Sequence, residues 1–264
     1  MKTSAAKQAS GGTAMARQSN EFEHIHKRTR NPLLVARAAW RLVKDLGVTR
    51  EATILEDYFS RSPSMKKYSR WDLVGERFLP GKYTEQQLKE LPRLLHLNLN
   101  ELEARCEPAT VGYTVATHMT RYGLNPNIFR PAEVLNKEDY AVVHVTETHD
   151  IWHVVTGFGN DEPGEIGMVA FYCSNTGASI FVLLLAAALL NTALFNHDKL
   201  GERFDAIAEG WNAGKQAKPL FGIDWTTQWH RPIEEVRQEL GLPTTVQSGV
   251  GIFAAHFRHC DKTL

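Results

Sequence analysis

The stretch His149-Asp150-Ile151-Trp152-His153, with Glu165 twelve residues further on, places two imidazoles and two carboxylates within seventeen residues. Histidines four apart on a helix share a face, so both rings can reach one point. The segment Gly157-Phe158-Gly159-Asn160-Asp161-Glu162-Pro163-Gly164 bends the chain and can return Glu165 to that point. Neutral imidazole nitrogens and carboxylate oxygens together suit a divalent transition metal. His149, Asp150, His153 and Glu165 are therefore the candidate ligands, and Asp150 and Glu165 the candidate catalytic carboxylates. Spacing does not decide which carboxylate binds metal and which moves protons. Trp152, beside the histidines, can wall the site.

Simpler and rival readings exist for these residues. In a chain with 11 His, an HxxxH pair also describes a helix with one packed and one solvated histidine. Zincin proteases place a glutamate base after the first histidine. Here that position is Asp150, one methylene shorter. Metal phosphohydrolases share the His-Asp dipeptide but need further His and Asp ligands, which nothing in the sequence identifies. A zincin-like or HD-like hydrolase is thus a weaker alternative. Gly157-x-Gly159 lacks the preceding strand and third glycine of a phosphate loop. No Ser/His/Asp or Cys/His arrangement stands out.

The elements that must hold the cluster read as helices. Asn136-Lys137-Glu138-Asp139 has a cap and first-turn acids, and a helix from there to Thr156 ends at Gly157. It puts Val145, His149, Trp152 and Thr156 on one face. The run Ala141 to Thr146 has strand character, but the histidine spacing and the glycine cap favour a helix. Asn31-Pro32 opens another helix, Leu33 to Leu46, stopped by Gly47. Its apolar positions are Leu34, Ala38, Trp40 and Val43, and Arg30, Arg37, Arg41 and Lys44 form a basic stripe. Either it lies on an anionic membrane surface or it packs on a core with its basic face solvated.

Thr84-Glu85-Gln86-Gln87 forms a capping box. Ala109 to Tyr122 is a helix closed by Gly123, with His118 on its apolar face as a satisfied core histidine. Ile180 to Leu190 is apolar throughout, yet a spanning helix needs about 20 such residues, and Ser179, Asn191, Thr192 and Asn196 bound this run. It reads as a helix buried on all sides or lining an apolar cavity. Two more helices follow, Phe204 to Lys218 and Pro232 to Gly241, with Val236 and Leu240 inward. The fold class is mostly α.

Bulk properties fit an ordinary globular protein. The chain has 264 residues, 43 % hydrophobic, with thirty basic and thirty acidic side chains in balance. Zero net charge argues against nucleic acid. Cys106, Cys173 and Cys260 form no CxxC pair, so neither a disulfide framework nor a cysteine metal site is supported. Residues 1–30 read as a disordered tail without a secretory h-region. Residues 243–264 are a C-terminal extension with an apolar Gly249–Ala255 stretch of unassigned role.

Three blocks resemble one family. The pattern H-D-x-x-H, eleven residues and Glu, at His149 to Glu165, is similar to the coenzyme Q biosynthesis protein four family. Gly214-Lys215-Gln216-Ala217-Lys218-Pro219-Leu220-Phe221-Gly222-Ile223-Asp224-Trp225, with Trp229 and Arg231-Pro232-Ile233, agrees. So do Ala109-Thr110-Val111-Gly112-Tyr113 and Tyr122-Gly123-Leu124. The resemblance spans residues 31–242 and implies a single helical domain with an apolar lipid-binding groove beside a metal site. It implies a zinc site at His149, Asp150, His153 and Glu165. Two histidines and a carboxylate with open positions also form the ligand set of non-haem iron enzymes, so Fe or Mn stays open. The implied activity is C1 oxidative decarboxylation of a polyprenyl hydroxybenzoate such as 4-hydroxy-3-methoxy-5-polyprenylbenzoate. The alternative role is a non-catalytic lipid-binding scaffold for the other ubiquinone-biosynthesis enzymes. Implied partners are a polyprenyl aromatic lipid, a membrane surface, those enzymes and a second copy as homodimer. The implied location is peripheral on the inner membrane: its cytoplasmic face, or the mitochondrial matrix side in a eukaryote.

Overall fold

A computed structural model of the chain describes residues 31–47, 71–127 and 133–243, with 51, 52, 54, 55, 58 and 59 between them. The expected tail and all of the C-terminal extension but Pro243 lie outside these residues. Among the described residues the regular elements are helices, and one isolated bridge joins Thr110 to Pro232. The mostly-α expectation holds.

Among the described residues ten α-helices have defined bounds: α1 Pro32–Lys44, α2 Trp71–Phe78, α3 Glu85–Lys89, α4 Leu99–Arg105, α5 Val111–Tyr122, α6 Lys137–Thr156, α7 Glu162–Asn175, α8 Ser179–Phe195, α9 Leu200–Gln216 and α10 Ile233–Leu240. Their ends follow the local chemistry read from the sequence. Asn31 accepts from Leu33 N–H ahead of Pro32. Thr84 and Gln87 complete the capping box. Gly123, Gly157 and Gly241 close α5, α6 and α10 at φ 65°, 91° and 68°, a region that costs a residue with a Cβ. The strand alternative for 141–146 is overturned, since α6 runs unbroken through it. α1 stops at Lys44 rather than Leu46, because Asp45 turns extended.

α6 is the axis. Tyr140, Ala141, Val143, His144, Val145, Thr148 and most of its last turns are buried, with α2, α5 and α10 packed around them. Arg93 clamps its Glu147 through Nε at 2.9 Å and a terminal nitrogen at 2.6 Å. Gly222 N–H donates to His144 Nε2 at 2.9 Å, and Phe221 packs edge-on against the same ring. The second block of family-like residues therefore docks on the start of α6. It also meets the third block: Val111 and Gly112 N–H donate to the Arg231 and Trp229 carbonyls, and Ile233 N–H donates to that of Ala109.

α7 and α9 approach almost backbone to backbone. A Cβ built on Gly210 would lie 2.0 Å from the Gly167 carbonyl oxygen, and one on Gly214 2.1 Å from Ser174 Oγ. Beyond that contact Arg203, fully buried on α9, donates to Glu162 at the start of α7 and to Asn191 and Thr192 of α8. Asn191 reaches on to the Val43 carbonyl at the end of α1. The polar residues bounding the apolar run thus hold four helices together.

The burial expected of that run is corrected. Ile180, Phe181, Ala187 and Ala188 face inward, whereas Val182, Leu190 and Leu194 are more than half exposed and Leu183, Leu189 and Phe195 more than a third. Both faces of α8 are apolar, so no periodicity marks which one packs. The apolar positions of α1 divide between two faces. Val35, Ala38, Leu42 and Val43 form the inward face of α1, while Leu33, Arg37, Trp40 and Lys44 share the outward one. Trp40 meets Phe195 edge-on at 6.2 Å, joining the outer faces of α1 and α8. Among the described residues no helix is long and apolar enough to cross a membrane.

The glycine contact gives a test. Gly210→Ala should cost about 2–3 kcal/mol by forcing α7 and α9 apart. Gly201→Ala, which meets nothing within 4 Å, should be neutral or stabilising by up to about 1 kcal/mol. Urea unfolding midpoints compare the two.

Candidate metal centre

His149 and His153 lie on the C-terminal half of α6, and Glu165 on the first turn of α7. The intervening turn is tight. A Cβ on Gly164 would sit 2.1 Å from the Gly159 carbonyl oxygen, and Asp161 caps α7 through Gly164 N–H. This turn swings Glu165 back over the histidine pair. The two Nε2 atoms are 3.1 Å apart, and Glu165 Oε2 is 3.5 Å from that of His153 and 3.9 Å from that of His149. A tetrahedral ion with bonds near 2.1 Å needs ligand atoms separated by about 3.4 Å. The three groups fit one ion after small adjustments.

The other ring nitrogens are arranged to match. His153 Nδ1–H donates to the Phe158 carbonyl at 3.1 Å, which leaves the Nε2 lone pair pointing into the cluster. His149 Nδ1 meets Tyr172 Oη at 3.0 Å. Such outer hydrogen bonds fix the tautomer and aim of a ligating imidazole. His153 is wholly buried, while His149 and Glu165 keep 38 % and 45 % of their side chains exposed despite crowding from neighbouring atoms. One side of the cluster is therefore open to a further ligand.

Electrostatics couples the three. Burial disfavours charge on His153, but Glu165's charge and hydrogen bond outweigh it, so its proton affinity is raised. Burial and the neighbouring His153 lower that of His149. Burial pushes the Glu165 carboxyl up, and the charge and hydrogen bond of His153, helped by His149, bring it down to about 2. Two facing imidazoles beside an ionised carboxylate form a donor set that a divalent cation would satisfy.

Asp150 is not among the convergent atoms. It points along a neighbouring direction of α6, and its charge bears on His118, His149 and His153. That position suits a group beside the cluster. The wall foreseen at Trp152 is more extensive than one residue. Trp152 stacks on Tyr172 at 4.7 Å, and Tyr172 stacks on Phe181 of α8 at 4.5 Å. Tyr172 escaped the sequence reading, although it lies two helical turns after Glu165 and so on the same face. The Phe158 carbonyl has no side-chain signal and could not have been read. His118 is buried as expected and its ring hydrogen-bonds with the Asn160 side chain, while its Nε2 has no partner.

Comparison with known proteins places this arrangement in context. The model of the family described as Coenzyme Q (ubiquinone) biosynthesis protein Coq4 matches residues 73–245, which hold the whole cluster. The ubiquinone biosynthesis protein COQ4, mitochondrial, of Coccidioides immitis is 32 % identical over 59 % of this chain and 55 % of its own length. Its namesake in Clavispora lusitaniae is 28 % identical over 68 % and 55 %. The chain thus spans about half the length of the curated relatives it matches. A crystal structure of a Nostoc punctiforme protein, described as a candidate ubiquinone biosynthesis protein, superposes with a TM-score of 0.63. At 22 % identity, covering 80 % of this chain and 98 % of the other, that likeness speaks to fold.

Metal titration tests the cluster. Removing a ligand in His149→Ala, His153→Ala or Glu165→Ala should lower zinc affinity at least about a hundredfold, and Tyr172→Phe about tenfold or more. A chelator competition reads both. Because His153 holds its proton more tightly than an ordinary histidine, the metal must displace it, and affinity should climb as pH rises from 6 to 8. Glu165 is already ionised across that range and adds no slope. The melting-temperature rise on adding zinc should accordingly be larger at pH 8 than at pH 6.

Proposed function

The chain belongs to the Coenzyme Q (ubiquinone) biosynthesis protein Coq4 family, and from that premise we propose a metal-dependent enzyme that replaces the C1 carboxylate of a polyprenyl hydroxybenzoate by hydroxyl. The observation that supports this reading is the meeting of His149, His153 and Glu165 beside an aromatic stack that runs to an apolar helix. The hydrolase alternatives drew on the HxxxH spacing and the His-Asp dipeptide, and the family match favours the ubiquinone-biosynthesis reading over them.

His149, His153 and Glu165 would hold the ion, zinc by family likeness, with iron or manganese equally suited to this donor set. A bound ion supplies a Lewis acid for the substrate carboxylate or phenolate and stabilises charge developing on the ring. Tyr172 and the Phe158 carbonyl keep the two imidazoles aimed. Asp150, outside the convergent atoms but with its charge bearing on both histidines, would take a proton at its carboxylate oxygens. Trp152, Tyr172 and Phe181, buried and stacked on one another, close one side of the cluster to water. Loss of carbon dioxide with hydroxyl entering at C1 is a two-electron oxidation of the substrate as a whole, so dioxygen or another oxidant must take part.

The prenyl chain demands a hydrophobic approach, and the outward faces of α1 and α8 supply one. α8 carries no charge over its length. Leu33, Trp40, Arg37 and Lys44 add the mixture of apolar, tryptophan and basic side chains that suits a headgroup layer. We assign this surface to an anionic membrane, on the inner mitochondrial membrane in a eukaryote. The scaffold reading draws on a different surface. Leu200, Phe204 and Trp211 stand exposed along α9, which suits contact with other ubiquinone-biosynthesis enzymes.

Substrate labelled at the carboxyl carbon separates the readings. Purified protein with metal, 3-geranyl-4-hydroxybenzoate and oxygen should release labelled carbon dioxide, and Glu165→Gln or His149→Ala should lower the rate by at least about a hundredfold. No release with any of zinc, iron or manganese would leave the scaffold. Wild-type protein should co-sediment with phosphatidylglycerol vesicles, and Leu190→Asp with Leu194→Asp should abolish this while sparing metal affinity. Self-association that disappears in the same variant, without vesicle binding, would instead mark a homodimer face.

A further inference from the structure

The outer side of α9 carries an apolar stripe. Leu200, Phe204 and Trp211 are exposed, and Ile207 is only partly buried against Ile166, Ala188 and Ala206. Spacings of four, three and four residues put these side chains on one side of the helix. Alternation of three and four is the seam of a helix that packs lengthwise on another. Lipid suits this stripe less well than it suits the outer face of α1 and α8. Glu202 and Asp205 stand exposed on the adjoining side of α9, where they repel anionic headgroups. In a contact between two copies of α9 the same acids would recur on both partners.

Residues 244–264, outside the described ones, carry a matching sequence pattern. Val250, Phe253, Phe257, Cys260 and Leu264 recur at spacings of three, four, three and four, with the basic Arg258 and Lys262 between them. Laid antiparallel to α9 at helical rise, the two patterns fall into register. Val250 meets Trp211, Phe253 meets Ile207, Phe257 meets Phe204, and Cys260 meets Leu200. The same register sets Pro243 level with Ala217 and Lys218, and the end of α10 is tied at that level. Lys218 N–H donates to the Leu240 carbonyl at 2.7 Å, and a Cβ on Gly241 would lie 3.3 Å from the Gln216 carbonyl oxygen. The buried Arg237 donates to the Pro243 carbonyl and holds the point of departure.

We propose that residues 244–264 dock as a helix on the outer stripe of α9, antiparallel and in this register. Charge agrees with it, since Arg258 is then level with Glu202 and Asp205. Gly249 and Gly251 weaken the segment's own helix propensity, so its order depends on the apolar seam that it covers. The segment follows the family-matched residues 73–245 almost entirely, and the contact adds to what the family match describes. It stands whether the chain acts as enzyme or as scaffold. In the scaffold role, a partner enzyme that meets Leu200, Phe204 and Trp211 must first displace the segment.

Cross-linking in the full chain tests the contact. Gly201, where a Cβ meets nothing within 4 Å, is level with Cys260 in this register, and Cys106 and Cys173 are buried. The Gly201→Cys chain, dilute and treated briefly with a short bis-maleimide, should link the introduced thiol to Cys260 within one molecule, as read by peptide mass spectrometry. Adding Trp211→Glu should lower the yield of that link at least about tenfold, because a carboxylate set into an apolar seam opposes docking. Phe257→Ser should do the same from the other side of the seam, and it carries the test if Trp211→Glu does not fold. Absence of the link, or a yield that neither substitution changes, would overturn the contact. A link between two molecules in place of the internal one would assign the stripe to a second copy and overturn it as well.

Discussion

The backbone contact of α7 and α9 at Gly167 and Gly210 is the constraint on which the site depends. α7 carries Glu165 at its start and Tyr172 two turns later, so its distance and rotation relative to α6 set the cluster's geometry. Packed at van der Waals separation, the glycine pair admits no side chain and leaves little freedom to slide. The Arg203 network then pins the start of α7, where Glu162 receives the guanidinium and Lys199 together. A buried arginine with several acceptors is a directional tie, because breaking any one contact exposes charge to a poorly solvating interior. Rigid placement of Glu165 is the consequence.

The cluster is the opposite kind of object. Its imidazole Nε2 atoms face each other across 3.1 Å, with the ionised Glu165 carboxylate alongside. That arrangement holds charge in a partly desolvated place, which costs free energy unless a counter-charge is present. A divalent cation satisfies all three groups at once, so binding and local order are linked. The aromatic column from Trp152 to Phe181 connects this charged point to α8, and α8 connects it to the outer surface. Polar chemistry and apolar access share one helix pair.

Much of the site was legible in the residues. The histidine spacing, the capping chemistry at Asn136 and Gly157, and the glycine-rich turn together foretold α6, its end and the return of Glu165. Local rules suffice there because caps and helical faces are decided within a few residues. Elsewhere they failed for identifiable reasons. α8 is equally apolar on both sides, and nothing in its own sequence says which side α1 and α7 will cover. Trp40 is apolar like Ala38 and Val43, yet burial of Val35, Ala38, Leu42 and Val43 leaves it outside. For His118 the apolar helix face foretells burial, but its partner, the Asn160 side chain, comes from a turn distant in the chain.

By itself, then, the sequence determined the helices, their caps, the mostly-α class and the set of ligand-type residues from His149 to Glu165. Only the tertiary structure decided that His149, His153 and Glu165 converge while Asp150 stands beside them. It also decided that Tyr172 and a backbone carbonyl aim the rings, and which face of α8 is left open. Hydrogen bonds within a helix and its caps reach no further than a turn, so pattern can specify them. Convergence and exposure depend on contacts between segments distant in the chain, such as Gly167 with Gly210, and packing alone fixes those.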